Sequence, residues 1–300
     1  MKSGYTTLIG RPNVGKSTFL NKILGFKVAI ISEKPQTTRT SILGIKTTEK
    51  GQIVFVDNPG IHKPLHKLNK RMMNFVYSSL ETADVICLLI DATQKFGRGD
   101  QFVLKTLKKV STPAFLLINK VDLIKKAKVL PIIDRYKDLV DFKEIIPISA
   151  LTGINCYTVE EKIYEYLPEG EKLFPQDNVS PQSIKFILSE IIREKTLHYV
   201  EEELPYSLAV HIDKIQEKPE KTTSPEANRP QHIQASIFVE KKNHRKIILG
   251  KSGKLIKAIK RQAQKEMELI LQSPVQLELQ VRVKEKWRDS IEILNLLEEQ

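Results

Sequence analysis

A glycine-rich octapeptide near the start of the chain is the first segment with a recognisable chemistry. Residues 10–17 read Gly-Arg-Pro-Asn-Val-Gly-Lys-Ser and fit the pattern G-x-x-x-x-G-K-[ST]. Glycines in such a loop let successive backbone N–H groups surround a phosphate, the lysine supplies a positive charge, and the serine hydroxyl ligates Mg²⁺. The loop follows the short apolar run Tyr5–Ile9 and precedes a helical pattern, as this chemistry requires. The predicted phosphate-site residues are Gly10, Arg11, Pro12, Asn13, Val14, Gly15, Lys16, Ser17 and the adjoining Thr18.

A second motif, Asp57-Asn58-Pro59-Gly60, ends the third predicted strand. An aspartate at that position can reach the magnesium ion and its water shell, and a glycine N–H can approach the terminal phosphate. Taken alone, Asn-Pro-Gly would be a turn capped by Asp57. Its position beside the phosphate loop favours the metal-binding interpretation. We assign Asp57, Asn58, Pro59, Gly60 and the following Ile61 to the same site.

A third motif, Asn119-Lys120-Val121-Asp122, follows the apolar run 114–118 and indicates which base is bound. Guanine presents two adjacent donors, N1–H and the exocyclic amine, and one carboxylate accepts both. Adenine would leave that carboxylate unpaired, which is costly in a partly buried site. The motif therefore predicts guanine, read by Asp122. Ser149 and Ala150, after the sixth predicted strand, would close the base pocket through their backbone N–H groups.

The elements that must position these motifs alternate between strands and helices over the first 168 residues. Strands are predicted at Tyr5–Ile9, Ile42–Thr48, Gln52–Asp57, Val85–Asp91, Ala114–Asn119 and Glu144–Ile148. Helices are predicted at Lys16–Leu24, Lys67–Glu81, Gly99–Lys109, Lys128–Asp141 and Thr158–Tyr166. Repeated βα units of this kind predict a doubly wound, mostly parallel sheet, which binds ligands at the carboxyl ends of its strands.

A second, smaller α+β domain is predicted after a linker at residues 169–182 that is rich in proline. Residues 183–300 follow the order α-β-β-α-α-β and end in a tail helix. The predicted elements are helices at Ser183–Val200, His244–Leu249 and Lys254–Leu271, strands at Ser207–Gln216, His232–Lys241 and Val275–Val283, a loop at Lys218–Pro230, and the tail helix from Trp287 to Glu298.

One segment of this second domain is strongly basic. The chain carries 48 Lys and Arg against 36 Asp and Glu, a net charge of +12. Residues 241–265 contain basic side chains and no acidic one, which is typical of a nucleic-acid contact surface. Gly250-Lys251-Ser252-Gly253 lies at a helix–helix junction inside this segment, where phosphates can approach backbone N–H groups. The predicted RNA contacts are Arg245, Lys246, Gly250, Lys251, Ser252, Gly253, Lys254 and Lys257.

Together, the three motifs resemble the translation-factor-related G proteins, and the segment Gln36-Thr37-Thr38-Arg39 looks like the Era GTPases. The second domain resembles a type II KH domain, in which the glycine loop clamps a single-stranded backbone. From this resemblance, Thr38 is the threonine that grips Mg²⁺ and the γ-phosphate, with Thr37 as its rival, and residues 60 to about 71 form switch II. Ser17, Thr38 and Asp57 are then the metal residues, and Lys16, Thr38, Gly60 and Asn13 the catalytic set.

The same resemblance implies a GTP-hydrolysing switch that cycles between GTP and GDP. It further implies binding to the 3′ end of small-subunit ribosomal RNA and a role in assembly of the 30S ribosomal subunit. No obligate protein partner is inferred. Two alternatives remain open at this point: an RNA-binding module that holds GTP as a structural ligand, and a G protein that contacts the membrane peripherally through its basic surface.

Ile61 marks a departure from the Ras pattern, where a glutamine orients the attacking water. An isoleucine side chain neither accepts a proton nor orients water. Catalysis must then depend on positioning and on added positive charge. By similarity to G proteins that use potassium in place of an arginine finger, Asn13 is a candidate K⁺ ligand, the alternative being an amide that stabilises the loop.

Composition limits the remaining functional classes. The apolar runs, such as 85–90 and 114–118, are far shorter than the roughly 20 residues of a spanning helix. The first residues lead directly into a motif and show no secretory signal. We therefore expect a cytoplasmic protein, with at most peripheral contact to the inner face of the membrane.

Overall fold

The computed structural model describes residues 1–34, 36–61, 66–217 and 230–300. The chain divides into two units, one of Met1–Leu65 with Asn69–Pro181 and one of His66–Leu68 with Gln182–Gln300. The boundary at Pro181 falls inside the segment predicted as a linker. Apart from Pro230, the predicted loop at 218–230 lies outside the described residues, as do residues 62–65 of the predicted switch II.

A six-stranded sheet forms the centre of the first unit, in the order β2-β3-β1-β4-β5-β6. Its strands are β1 Lys2–Gly10, β2 Ile42–Thr47, β3 Gly51–Asp57, β4 Val85–Asp91, β5 Ala114–Asn119 and β6 Phe142–Pro147. Only the β2–β3 pair is antiparallel among these strands, so the predicted mostly parallel sheet is confirmed. The β3, β4 and β5 strands are almost entirely buried because helices cover both faces.

In the described part of this unit, four helices lie between strands and a fifth follows β6. They are α1 Lys16–Leu24, α2 Lys67–Thr82, α3 Arg98–Leu107, α4 Val129–Tyr136 and α5 Cys156–Tyr166. Side chains of α2, α3 and α4 share one buried cluster with the sheet, including Val76, Val103 and Tyr136. The α4 helix ends five residues earlier than predicted, because β6 already starts at Phe142 and the chain needs residues 137–141 to turn back.

The second unit combines a three-stranded sheet with four helices, as predicted for a KH domain. The elements are α6 Ile184–Leu197, β7 Leu208–Glu217, β8 Gln231–Val239, α7 Lys242–Leu249, α8 Lys254–Leu271, β9 Val275–Val283 and α9 Ile291–Glu298. The sheet order is β7-β8-β9, with β8 antiparallel to β7 and parallel to β9. The predicted tail helix is interrupted at Ser290, whose extended backbone and side chain cap α9. Among the helices of the described residues, none is both long and apolar enough to cross a membrane.

The segment 169–181, expected to be a linker, is hydrogen-bonded to the first unit. The backbone N–H of Ile45 on β2 donates to the Val179 carbonyl at 2.9 Å. The fully buried Gln52 accepts from the N–H groups of Leu173 and Phe174 at 2.8 and 2.9 Å and donates to the Phe174 carbonyl at 3.0 Å. The segment therefore contacts the free edge of β2 through Val179, and the amide side chain of Gln52 on β3 attaches it to the sheet.

Replacement of Gln52 with leucine is expected to destabilise the first unit. The variant leaves two N–H groups and one carbonyl without their partners, at a cost of about 1–3 kcal/mol for a buried group. Urea denaturation should therefore show a lower midpoint. Gln176→Leu is the matched control, because Gln176 lies in the same segment, is exposed, and bonds only to Lys172 among the described contacts. Equal midpoints for the two variants would contradict the role given to Gln52.

Candidate nucleotide and RNA sites

A cavity of about 550 Å³ opens at the carboxyl ends of the parallel strands, where the three motifs meet. It is large enough for a nucleotide. Predicted residues that line it come from the phosphate loop, from the segment before β2 and from the loops after β3, β5 and β6. These are Arg11, Pro12, Asn13, Val14, Gly15, Lys16, Ser17, Thr18, Thr38, Gly60, Asn119, Lys120, Asp122 and Ala150.

Glycine is required at the end of the phosphate loop for two reasons. Gly15 adopts a φ of 99°, a conformation that L side chains rarely adopt, and it starts α1. A Cβ there would lie 2.2 Å from Nδ2 of Asn119. Asn119 in turn donates to the Val14 carbonyl at 2.7 Å and accepts from the Ala150 N–H at 2.9 Å. One buried amide therefore holds the phosphate loop and both base loops together.

The lysine of the phosphate loop lies inside the protein. Lys16 is 6% exposed, and its ammonium donates to the Arg11 carbonyl at 3.4 Å. Burial lowers the pKa of Lys16, and the nearby Asp57 carboxylate opposes that change. Burial likewise raises the pKa of Asp57, against the influence of Lys16. A buried cation beside the cavity is suited to the β- and γ-phosphates, because its charge is poorly screened there.

Three oxygen-bearing side chains from separate segments meet next to this lysine. The Ser17 hydroxyl donates to Asp57 Oδ2 at 2.6 Å and lies 3.0 Å from Thr38 Oγ1. The second carboxylate oxygen, Asp57 Oδ1, is buried and has no hydrogen-bond partner within the described part of the chain. The Thr37 hydroxyl instead donates to the Lys34 carbonyl at 2.6 Å. A set of oxygen donors with one unsatisfied carboxylate oxygen fits Mg²⁺, with Thr38 rather than Thr37 facing the other two residues.

At the base end of the cavity, Asp122 is exposed towards the space that a base would occupy. Its neighbour Lys120 has a left-handed backbone, and its ammonium contacts Asp91 Oδ2 at 2.6 Å. Partial burial by itself would raise the pKa of Asp91. Hydrogen bonds from Lys120 and Thr93 have the opposite effect and lower this pKa overall. The carboxylate therefore stays charged and fixes Lys120 along the wall of the cavity.

Several residues assigned to this site place their side chains elsewhere. Asn58 is fully buried, donates to Ser79 Oγ at 2.9 Å and accepts from the Ser41 hydroxyl at 2.8 Å. Ile61 packs in the cluster of α2, α3 and α4, with its N–H donating to the Gly10 carbonyl at 3.0 Å. Ile61 was expected beside the γ-phosphate, but its side chain belongs to the core. Gly10, Asp57, Pro59, Val121 and Ser149 are likewise not among the residues that line the cavity.

Asn13 lies at the rim of the cavity with a left-handed backbone, φ 63°. Its side-chain amide donates to the carbonyl of Glu33, in the segment that leads to Thr38. This contact joins the phosphate loop to the threonine segment. The Asn13 amide therefore lies beside the main-chain carbonyl of Glu33.

The glycine loop of the second unit has an unusual backbone. Gly250, Ser252 and Gly253 all have positive φ values of 68°, 55° and 73°. A Cβ on Gly250 would lie 2.7 Å from the Leu255 side chain, whereas the space around Gly253 is open. Lys251 and Ser252 are exposed at the start of α8, whose first turn has neither an acidic residue nor a side-chain cap. Backbone N–H groups, the helix N-terminus and lysines therefore face the same exposed region.

The basic side chains around this loop are available for a ligand. Arg245, Lys246, Lys251, Lys254 and Lys257 are exposed, and no ion pair joins them to another residue of the described ranges. Of two neighbouring apolar side chains on α7, Ile248 is fully buried. Ile247 is 51% exposed. Such a surface suits a phosphate backbone with some apolar contact to bases.

A mostly parallel sheet with a phosphate loop, an adjacent hydroxyl–carboxylate cluster and an Asn-Lys-x-Asp motif at one cavity defines the class of P-loop GTPases, here followed by a KH domain. Residues 5–120 match the family described as 50S ribosome-binding GTPase, and residues 203–288 match the family described as KH domain.

Two solved structures resemble the whole chain. The first is Era in complex with MgGDPNP and nucleotides 1506–1542 of 16S ribosomal RNA, with 42% identity, a TM-score of 0.93 and coverage of 99% of this chain and 98% of that chain. The second is a tyrosine-to-alanine variant of Aquifex aeolicus Era bound to GDP and AlF4⁻, with 40% identity, a TM-score of 0.93 and coverage of 99% of each chain. The chain belongs to the Era family of GTPases, which confirms both the predicted family and the predicted GTPase activity.

Other residues line the cavity without belonging to any motif. Leu123 and Leu151 are 64% and 74% exposed on either side of the base end, where apolar side chains can sandwich a base. Asp91, Asp100 and Tyr136 come from β4, α3 and α4. For the two leucines, the signal in the sequence was their position directly after Asp122 and Ala150. Asp100 and Tyr136 carry no local signal, because only the fold brings them to the loop.

Proposed function

We propose that this protein is a Mg²⁺-dependent GTP switch whose KH domain binds the single-stranded 3′ end of small-subunit ribosomal RNA and assists assembly of the 30S subunit. The observation that carries the RNA half of the proposal is the exposed, unpaired basic loop 250–253 at the start of α8. The Era structure that contains a 16S ribosomal RNA fragment supports the choice of RNA, since it resembles this chain over its whole length.

In the nucleotide half of the site, Ser17, Thr38 and Asp57 would hold the metal, either directly or through its waters. Bound there, Mg²⁺ supplies positive charge to the β- and γ-phosphate oxygens. Lys16 would contact the same oxygens, and the N–H of Gly60 would approach the γ-phosphate. Because Ile61 is in the core, no side chain from that position orients water, so these groups act by positioning and charge.

A monovalent ion is the proposed source of additional charge. The Asn13 amide already contacts the carbonyl of Glu33, and the Asn13 oxygen with neighbouring carbonyls is a donor set that suits K⁺. An ion at this rim would lie between the phosphate loop and the segment that carries Thr38. It would therefore stabilise negative charge that develops between the β- and γ-phosphates.

The RNA contact is tested by replacing Lys251 and Ser252 with aspartates. Aspartate tolerates the left-handed backbone at position 252, so the loop should retain its shape. Negative charge at the expected phosphodiester should reduce affinity for single-stranded RNA on the order of 10-fold for each lost contact. GTP hydrolysis measured without RNA should stay unchanged.

A matched control separates this local contact from overall charge. Lys108→Asp combined with Ser111→Asp changes the net charge by the same amount at exposed positions of the first unit. Affinity is measured by fluorescence anisotropy on a labelled oligonucleotide at fixed salt. An equal loss in both double variants would mean that RNA senses only net charge, and the proposed clamp at 250–253 would be wrong.

A further inference from the structure

The side chain of Arg11, the second residue of the phosphate loop, is held by α3. Its Nη1 donates to Asp100 Oδ2 at 3.0 Å. The chain of Arg11 runs across Gly99, where a Cβ would lie 3.0 Å from Nε and 3.1 Å from Cδ. A glycine at position 99 thus leaves room for the guanidinium to reach the carboxylate. The ion pair is partly protected, since the side chains of Arg11 and Asp100 are 34% and 7% exposed.

Asp100 is itself fixed from several directions. Its Oδ2 also accepts the Gly97 N–H at 2.8 Å, which caps the first turn of α3. Burial raises the pKa of the Tyr136 hydroxyl, and the facing Asp100 carboxylate raises it further. That tyrosine is 5% exposed and packs against Phe96 with ring centroids 5.4 Å apart. The carboxylate is therefore a rigid anchor, built from α3 and α4.

Arg11 is connected to two residues assigned to the γ-phosphate, to Lys16 through its own carbonyl and to Gly60 through the next residue, Pro12. Its carbonyl accepts the Lys16 ammonium at 3.4 Å. The next residue, Pro12, packs so closely on Gly60 that a Cβ at position 60 would lie 2.7–2.8 Å from Pro12 atoms. A shift of Arg11 would therefore move both the carbonyl that orients Lys16 and the surface on which Gly60 rests.

We infer that Asp100 is a positioning residue for GTP hydrolysis. It anchors the side chain of Arg11 and thereby fixes the position of the phosphate loop relative to Lys16 and Gly60. The inference rests on the proposed phosphate site. Displacement of catalytic groups by about 1 Å costs up to about 100-fold in rate. Because Gly60 is assigned to the γ-phosphate, which GDP lacks, loss of the anchor should slow hydrolysis and weaken binding of a GTP analogue more than binding of GDP.

The test combines Asp100→Asn, Arg11→Gln and the double variant in the full chain. Asparagine keeps an oxygen for the Gly97 N–H, so the helix cap is retained while the charge is removed. Each single variant should slow single-turnover hydrolysis about 10-fold, with GDP affinity within about threefold of wild type. The double variant should be no slower than either single variant, because both remove the same anchor.

Controls make each outcome decisive. Asp134→Asn removes an exposed carboxylate that pairs with Lys137 on α4, and it should leave the rate unchanged. Any of three results would overturn the inference. The rate losses of the single variants could multiply in the double variant, the hydrolysis rates could stay unchanged, or the affinities for GDP and for the GTP analogue could fall equally. If Asp100→Asn does not fold, an unchanged rate in Arg11→Gln overturns it alone, and a slowed rate with preserved GDP affinity supports it. Absence of Mg²⁺-dependent GTP binding by the wild type would instead contradict the proposed function.

Discussion

Asp122→Asn is expected to change the preferred base from guanine to xanthine. We expect the Asp122 carboxylate to accept from two adjacent guanine donors, whereas the substituted amide would place an N–H against the guanine amine. Each lost hydrogen bond to a charged acceptor is worth about 1.5–3 kcal/mol, so GTP affinity should fall on the order of 100-fold or more. Xanthosine triphosphate has a carbonyl where guanine has its amine, so the new amide can donate to it.

Competition binding with GTP, ATP and xanthosine triphosphate measures this change. Asp134→Asn is the control, because it removes the same charge from an exposed position of the first unit. The control should retain the preference of the wild type for GTP. Equal affinity of the wild type for ATP and GTP would show that Asp122 does not select the base.

Potassium is expected to accelerate single-turnover GTP hydrolysis over sodium at constant ionic strength. With Ile61 in the core, the site has no water-orienting side chain from that position, and removal of a comparable charge-stabilising group costs about 100- to 1,000-fold in rate. Asn13→Ala should abolish the difference between the two ions, because it removes the amide oxygen and the contact to Glu33.

The control for this variant is Asn155→Ala. Asn155 also has a left-handed backbone and donates to a main-chain carbonyl, that of Pro147, but it does not line the cavity. It should leave the potassium effect intact. Ile61→Gln is a poor control, since it would bury an amide in an apolar cluster. A different result would favour RNA as the source of the acceleration. If GTP hydrolysis is accelerated only when RNA is present, equally in sodium, and no longer in the variant with aspartates at Lys251 and Ser252, then the ion proposal is wrong and RNA orders the site.

Much of the nucleotide site could be predicted because its chemistry is encoded in short motifs at the ends of strands. Lys16, Ser17 and Asp122 have their places fixed by the strand that precedes each motif, and the structure brings them to one cavity. The strands themselves were recognisable because helices on both faces make them continuously apolar. Most strand ends lie within two residues of the prediction, but β1 starts three residues earlier. Among the helices, α6 ends three and α4 five residues earlier than predicted, and the tail helix is interrupted at Ser290.

The remaining features depend on contacts between residues distant in sequence. Nothing near Asp100 indicates that it meets Arg11, 89 positions away. Prolines in 169–182 predicted a linker, yet the buried amide of Gln52 holds this segment against the sheet. Ile61 follows a motif that faces the phosphate, but its apolar side chain turns into the core. Local patterns specify backbone conformation and chemistry, whereas tertiary packing decides which way such side chains point.

In the proposed switch, the guanine nucleotide bound to the first unit controls how tightly the KH domain binds RNA. The most direct test measures affinity for a single-stranded RNA from the 3′ end of small-subunit ribosomal RNA, with the protein loaded with Mg²⁺ and either GDPNP or GDP. We predict that the GDPNP-loaded protein binds this RNA at least about fivefold more tightly than the GDP-loaded protein. Because coupling is reciprocal, bound RNA should raise the affinity for GDPNP relative to that for GDP by the same factor. Equal RNA affinity in the two nucleotide states would contradict the switch and leave GTP as a ligand without influence on RNA.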